Sequence, residues 1–306
     1  MANTQSSRLA DQTARVVFLI CAILIVAIII GIFLFVGING LRVFGEDPHA
    51  RNMFTSTNWD PDGANGDPSY GALGFILGSV VTTVLSVIIA TPLAWGMALF
   101  MTEVTPRWLE NILRPLLEIF TGMPSVVIGF LALIVLVPFI KKVVGPHTPN
   151  PATSGVGWAA ATIVLVVMIL PTIISLSIDA IRTVPGSVRE ASLALGSTRW
   201  QMMKNAVIPA ATTGLATAVV LGMARAIGEA LAVSMVLQGT TLPSKILTPL
   251  VFFQPNVNIT QAIVFYFPEA SGPSRDAYFM LGFILLAISF LFICVSRYLA
   301  SRSVYK

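Results

Sequence analysis

Six long apolar blocks, separated by polar stretches, set the pattern of this chain. They are Val16–Ile38, Leu73–Phe100, Leu113–Ile140, Gly157–Ile178, Ala210–Leu237 and Ala277–Leu299. Each reaches the length of about 20 residues that a helix needs to cross a bilayer. Six spans are therefore predicted, giving an all-α integral membrane protein. Between the fourth and fifth blocks lies a polar island, Asp179–Pro209, of 31 residues.

Val16–Ile38 is nearly pure hydrocarbon and follows Arg8 and Arg15, as a secretory leader would. Its 23 residues exceed the core of a leader, and no small-x-small cleavage site follows, so an uncleaved anchor is expected. Asn39–Gly71 is rich in turn formers (Asp60-Pro61-Asp62-Gly63, Asn65-Gly66-Asp67-Pro68) and reads as an ordered cap. Gly239–Asp276 contains a fairly apolar middle, Ile246–Phe267, interrupted by Pro249, Gln254, Pro255, Asn256 and Asn258. Short amphipathic or re-entrant pieces at the external mouth are expected there, a backbone tolerated at membrane depth only against protein or water. Pro92, Pro124, Pro138 and Pro171 punctuate the spans, and Thr121-Gly122-Met123-Pro124-Ser125 predicts the sharpest kink, early in the third.

Composition agrees with this reading: 56% of residues are hydrophobic and only 10% charged, against about 25% charged in soluble domains. The positive charges orient the spans. With the N-terminus inside, Arg8, Arg15, Arg107, Arg114, Arg182, Arg189, Arg199, Lys204, Arg297, Arg302 and Lys306 lie on the cytoplasmic side. Arg42, Arg51, Lys141, Lys142, Lys245 and Arg275 lie outside, and the bias places both termini and the polar island in the cytoplasm. The net charge of +4 is topology signal and carries no nucleic-acid inference. Cys21 and Cys294 sit in apolar spans as small packing residues.

The island divides into two short helices. Ser187 with Glu190 forms a capping-box pattern after Pro185-Gly186, and Gly196 suits the left-handed position that ends a helix. Thr198 with Gln201 offers a second capping box, and Pro209 marks the entry to the next span. Ala191-Ser192-Leu193-Ala194 presents small side chains that let another surface approach, with Arg189 and Glu190 available to a partner's charges. A second reading rests the helices on lipid headgroups, through Trp200, Met202 and Met203.

Glu190-Ala191-Ser192, three residues, Gly196, nine residues, then Ile208-Pro209 resembles the EAA loop of ABC-importer permeases. That resemblance implies a type I ABC-importer permease fold with cytoplasmic coupling helices, seated in a cleft on a separate ATPase subunit. Arg189, Glu190, Ala191, Ser192, Gly196, Arg199 and Pro209 would form the ATPase-coupling loop. Ser192 in place of the last Ala, Ala206 in place of Ile, and Ile208 in place of Leu are its mild departures.

Within the fifth block stand Arg225 and Glu229. Taking Leu215–Leu237 as the crossing segment puts Arg225 at the bilayer centre, where an arginine costs about 2.5–3.5 kcal/mol or more and must face protein or water. Glu229, four residues on, is expected on the same helical face as a partial neutraliser. The pair reads as a structural salt bridge or as a cationic station, whose planar fork of donors suits phosphate-type oxygens. Gly222 and Gly228 would let neighbouring helices close in.

Ala224-Arg225-Ala226-Ile227-Gly228-Glu229-Ala230-Leu231-Ala232-Val233 resembles the fifth-span motif of the phosphate-specific (Pst) ABC permeases. Trp59-Asp60-Pro61, Tyr70-Gly71-Ala72-Leu73, Ala90-Thr91-Pro92-Leu93 and Gly122-Met123-Pro124-Ser125 match its C-type subunit. The resemblance covers roughly residues 59–300 and implies one permease domain over 1–306, with a bundle at 73–300. It also implies the partners: a homologous A-type permease subunit, two ATP-binding subunits, an extracytoplasmic phosphate-binding protein, and the lipid of a bacterial inner membrane. Arg225 and Glu229 would line the phosphate path. No cofactor is expected in this chain, ATP and Mg residing on the ATPase, and no Gly-x-x-x-x-Gly-Lys-Ser/Thr loop occurs. An enzyme is not expected: His49 and His147 are the only histidines, and both lie in loops. A permease for molybdate or sulfate is the alternative, and a secondary anion transporter, which would not need a docking loop, is the more distant one.

Overall fold

A computed structural model describes residues 3–64, 66–147, 155–239 and 249–301. Of the charges used for orientation, Lys245, Arg302, Lys306 and the side chain of Arg8 lie outside the described residues, as does the side chain of His147.

The apolar blocks fold as helices because no water is at hand in a bilayer to satisfy a backbone that is not internally bonded. α1 (Asn3–Glu46) carries an unbroken row of exposed Val, Ile, Leu and Phe from Val16 to Leu34. A two-stranded antiparallel hairpin, β1 (Trp59–Asp60) and β2 (Ser69–Tyr70), precedes α2 (Leu73–Leu99). α3 (Arg107–Gly122) is followed by α4 (Ser125–Leu131), α5 (Val137–Val144), α6 (Trp158–Arg182) and α7 (Gly186–Ala194). α8 (Arg199–Met202), α9 (Ile208–Gly228), α10 (Leu231–Leu237), α11 (Ile259–Tyr266) and α12 (Gly272–Ser301) complete the chain. Among the described residues, six of the resulting helical stretches are long and apolar enough to span.

Three wide π-helical turns, Phe100–Val104, Ala132–Leu136 and Met203–Val207, each end two residues before a proline: Pro106, Pro138 and Pro209. A proline ring collides with the carbonyl four residues back, and an extra residue in the preceding turn moves that carbonyl aside. Pro209 therefore does not separate the island from the fifth span. One continuous helical stretch runs Arg199–Gly228, and the expected second short helix is its first turn. Met202 and Met203 are buried in it, not turned to headgroups.

The third block also differs from expectation. Met123 and Pro124 are both extended (ψ 133° for each), so the helix stops at Gly122 and restarts at Ser125. The proline ring disfavours helical geometry in the residue before it, and two such residues make a full break where a kink was expected. α3 lies antiparallel beside α6, with Glu110 paired to Arg182 at one end and Phe120 and Met123 near Val164 and Val167 at the other.

α6 is the hub, packed on α2 and α9, with Ile169, Ile173 and Ile181 wholly buried. Any Cβ on Gly222 of α9 would meet Ile173, and one on Gly214 would come within 2.5 Å of the Ala180 Cβ. Glycine thus lets the helices touch backbone to side chain. Gly228, expected to do the same, faces open space.

A second core lies under the cap. Trp59 stacks edge-on against Phe75 (5.2 Å) and tilted against Tyr278 (5.4 Å), and its Nε1 donates to the Tyr278 Oη at 3.2 Å. Tyr70 donates to Asp47 Oδ2 at 3.0 Å, and burial, then that bond, pushes its hydroxyl up to about 12. The segment after Pro249 consists of short pieces, as its polar interruptions predict: a 3-10 turn, Pro249–Phe253, an extended stretch, and α11. The Ile259 N–H donates to Ser79 Oγ at 2.9 Å, the Gly239 N–H to Asn256 O at 3.1 Å, and the Asn256 N–H to Leu237 O at the end of α10 at 3.2 Å.

Candidate functional site

The fifth span breaks within its apolar length. α9 ends at Gly228, Glu229 is extended (φ −78°, ψ 117°), and α10 begins at Leu231. Arg225 and Glu229 therefore do not share a helical face, and among the described residues Arg225 forms no ion pair. Glu229 instead accepts from the Ala232 N–H at 3.2 Å, satisfying the first turn of α10, while its carbonyl accepts from Thr260 Oγ1 at 3.3 Å. The carboxylate serves the break: four free N–H groups open every helix, and here no water-facing loop supplies their partners. Ser79, Thr82, Thr83, Asn258 and Thr260 gather around Glu229 at a polar cavity of about 10 Å3, room for about one water.

Arg225 lies in the last turn of α9, where a cation meets the negative end of the helix dipole. The half-buried guanidinium donates from NH1 to Thr172 Oγ1 of α6 at 2.8 Å. Thr172 stands two residues past Leu170, the midpoint of α6. Arg225 is thus level with the middle of α6 while lying three residues from the end of its own helix.

At the far end of α6 the island forms α7, a glycine corner and α8. The N-cap of α7 is Pro185, and no side chain caps it, so the Ser187 capping box is absent. Gly196 is left-handed (φ +83°), with Gly196 N–H bonded to Leu193 O (2.9 Å) and Ser197 N–H to Ser192 O (3.4 Å), the paired closure of a Schellman motif. Thr198 and Gln201 form the reciprocal capping box. Glu190, Ala191, Leu195, Arg199 and Trp200 are exposed, and Leu195 is 88% so. Ser192 and Pro209 are half-buried.

Arg189 turns inward instead of meeting an outside charge. Its Nε and NH2 bond Glu103 Oε1 at 3.0 and 2.9 Å, NH1 bonds Val184 O at 2.7 Å, and NH2 bonds Ile181 O at 3.0 Å. Glu103 and Thr172 are the two partners that sequence reasoning missed. A lone carboxylate ending an apolar block was a signal for Glu103, but nothing linked it to a residue 86 positions away.

Six helical stretches long and apolar enough to span among the described residues, a broken helix with a half-buried arginine and an exposed helix–corner–helix define an integral membrane protein. Residues 90–305 match the binding-protein-dependent transport system inner membrane component family, and the chain belongs to that family. It is 42% identical to a probable ABC transporter permease protein, YqgH, of Bacillus subtilis, over 99% of this chain and 94% of the relative. It is 32% identical to the phosphate transport system permease protein PstC of Xylella fastidiosa, over 95% and 88% respectively. Among solved structures it resembles a bacterial ABC transporter involved in alginate import (TM-score 0.64, 15% identity, 97% of this chain and 100% of that one). An inward-facing MetNI methionine ABC transporter is similar over 76% of this chain and 95% of that one (TM-score 0.59, 16% identity). The fold is that of the type I ABC-importer permeases, and the chain is a multi-pass ABC permease subunit.

Proposed function

We propose that this permease carries inorganic phosphate, and that Arg225 is the station it passes. The single observation behind this is the half-buried guanidinium, held among the described residues by one neutral hydroxyl and no carboxylate, so most of its donor fork is available to an anion. The 32% identity to the PstC permeases favours phosphate among oxyanions. Glu229 borders the path by shaping the helix break. The complex comprises this chain, a homologous A-type subunit, two ATP-binding subunits and an extracytoplasmic phosphate-binding protein. The charge bias puts both termini and α7 in the cytoplasm, where Glu190, Ala191, Ser192, Gly196 and Arg199 present the ATPase-docking surface and Arg189 and Pro209 hold it to the spans.

Reconstitution of the co-purified complex in liposomes with the binding protein tests this. ATP-dependent phosphate uptake is expected, with no competition from excess sulfate or molybdate; competition by either would replace phosphate as the substrate. Two substitutions refine the roles. Glu190→Lys reverses the exposed charge of α7 and is expected to weaken crosslinking of the loop to the ATPase and lower uptake; unchanged crosslinking and uptake would remove the docking role. Glu229→Gln keeps an acceptor for Ala232 and should retain uptake, whereas Glu229→Ala should lower stability by about 1 kcal/mol, as other lost caps do. Loss of uptake in the Gln variant at unchanged thermal stability would assign the charge itself a transport role.

A further inference from the structure

The inward turn of Arg189 joins three elements that are far apart in sequence. Its own helix, α7, carries the exposed surface of the island. Glu103 belongs to the π-helical turn that ends the second span. Ile181 and Val184 supply carbonyls at the end of α6. Ile181 O is among the last four carbonyls of α6, which lack a partner within the helix, and Val184 O lies two residues past its end; a guanidinium there also meets the negative pole of the helix. The two side chains are 23% and 9% exposed, so the pair is screened from solvent on both sides.

The geometry uses the guanidinium in full. The Nε and NH2 edge grips the carboxylate of Glu103, NH2 also reaches Ile181 O, and NH1 reaches Val184 O. A lysine, with one compact ammonium, keeps the charge but cannot hold a carboxylate side-on and two carbonyls at fixed angles. The glycine corner behind α7 is closed by the Schellman bonds, and α8 runs without interruption into α9. Displacement of α7 is thereby shared between two routes, one through Gly196 into the fifth span and one through Arg189 into the second and fourth.

We infer that the Arg189–Glu103 pair is a positioning clamp that makes the second and fourth spans follow α7, so that ATPase movement reaches the helix carrying Thr172. The inference rests on the reading of α7 as the ATPase-docking helix. Arg189 touches neither substrate nor ATPase in this scheme; it acts through Glu103 and the end of α6.

Arg189→Lys and Glu103→Gln in the full complex are the first test. Complex assembly, loop-to-ATPase crosslinking and basal ATP hydrolysis are expected to persist, while phosphate moved per ATP falls about tenfold, the loss of about 1.4 kcal/mol of coupling. An unchanged ratio in both variants overturns the clamp. Buried pairs are costly to break, so a second variant guards against failure to fold. Glu103→Cys with Arg189→Cys, in a background with Cys21→Ala and Cys294→Ala, is measured before and after bridging by a bifunctional thiol reagent. Restored phosphate per ATP on bridging supports the clamp. The same ratio with and without the bridge overturns it. If the unsubstituted complex hydrolyses ATP in response to the binding protein but moves no phosphate, the substrate assignment fails. The clamp is then read from the binding-protein stimulation of ATPase activity, which Arg189→Lys should lower relative to the unsubstituted complex.

Discussion

Arg225→Ala is expected to abolish phosphate uptake, by about a hundredfold or more, while the complex assembles normally. Truncating one member of a desolvated charge pair costs about 3 kcal/mol or more, and each 1.36 kcal/mol is tenfold in rate. The substitution separates transport from folding because of what Arg225 touches. Its one hydrogen-bond partner among the described residues is the hydroxyl of Thr172, a neutral group within a helix. Released, that hydroxyl can bond the carbonyl one turn back, so no buried charge is orphaned. Removing a guanidinium from an apolar span also relieves an insertion cost of up to about 2.5–3.5 kcal/mol. Thermal stability should therefore hold or rise as uptake disappears. Arg225→Lys should fall between, since the charge remains while the planar fork is lost. Uptake by the alanine variant at the unsubstituted rate would remove Arg225 from the path.

The largest effect on stability is expected at Gly78→Ala. A single methyl group there would lie far inside contact distance of Val257 O, with Trp158 Nε1 next in line. Neither can yield cheaply. Val257 O accepts from Trp158 Nε1 at 3.5 Å, and two residues on, Ile259 N–H is held by Ser79. Pushing the segment outward would break these bonds at membrane depth, where each unpaired group is costly. Overpacking of this kind costs about 3 kcal/mol. Gly96→Ala in the same helix meets nothing within 4 Å and is the control. Thermal unfolding and the yield of assembled complex should drop for the first and not for the second. Equal stability of the two would refute the tight seat of the Val257 segment.

The sequence announced the spans clearly because an apolar block of membrane length has few other ways to fold. It also announced the corner at Gly196 and the cap at Thr198, since both are set by neighbours within four residues. Ser187 shows the limit of the same logic: Pro185 already starts α7, and the box goes unused. The breaks at Met123–Pro124 and at Glu229 were harder. Proline signalled a defect in the first without its extent, while the second carries no proline at all. Glu229 leaves the helix where its carbonyl is taken by Thr260, a residue 31 positions away. Spacing alone made Arg225 and Glu229 neighbours, and the break made them strangers.

What the sequence by itself determined is therefore what local chemistry and the bilayer decide: six spans, their orientation signal, an island with a glycine corner, and an arginine that cannot face lipid. Only the tertiary structure decided which partner each charge takes. Arg225 chose Thr172, Arg189 chose Glu103, and Glu229 turned to the start of α10. The reason is physical. A desolvated charge must be satisfied by whatever polar group packing brings within about 3 Å, and packing between helices is set by long-range contacts such as Gly222 against Ile173, which no short window of sequence contains.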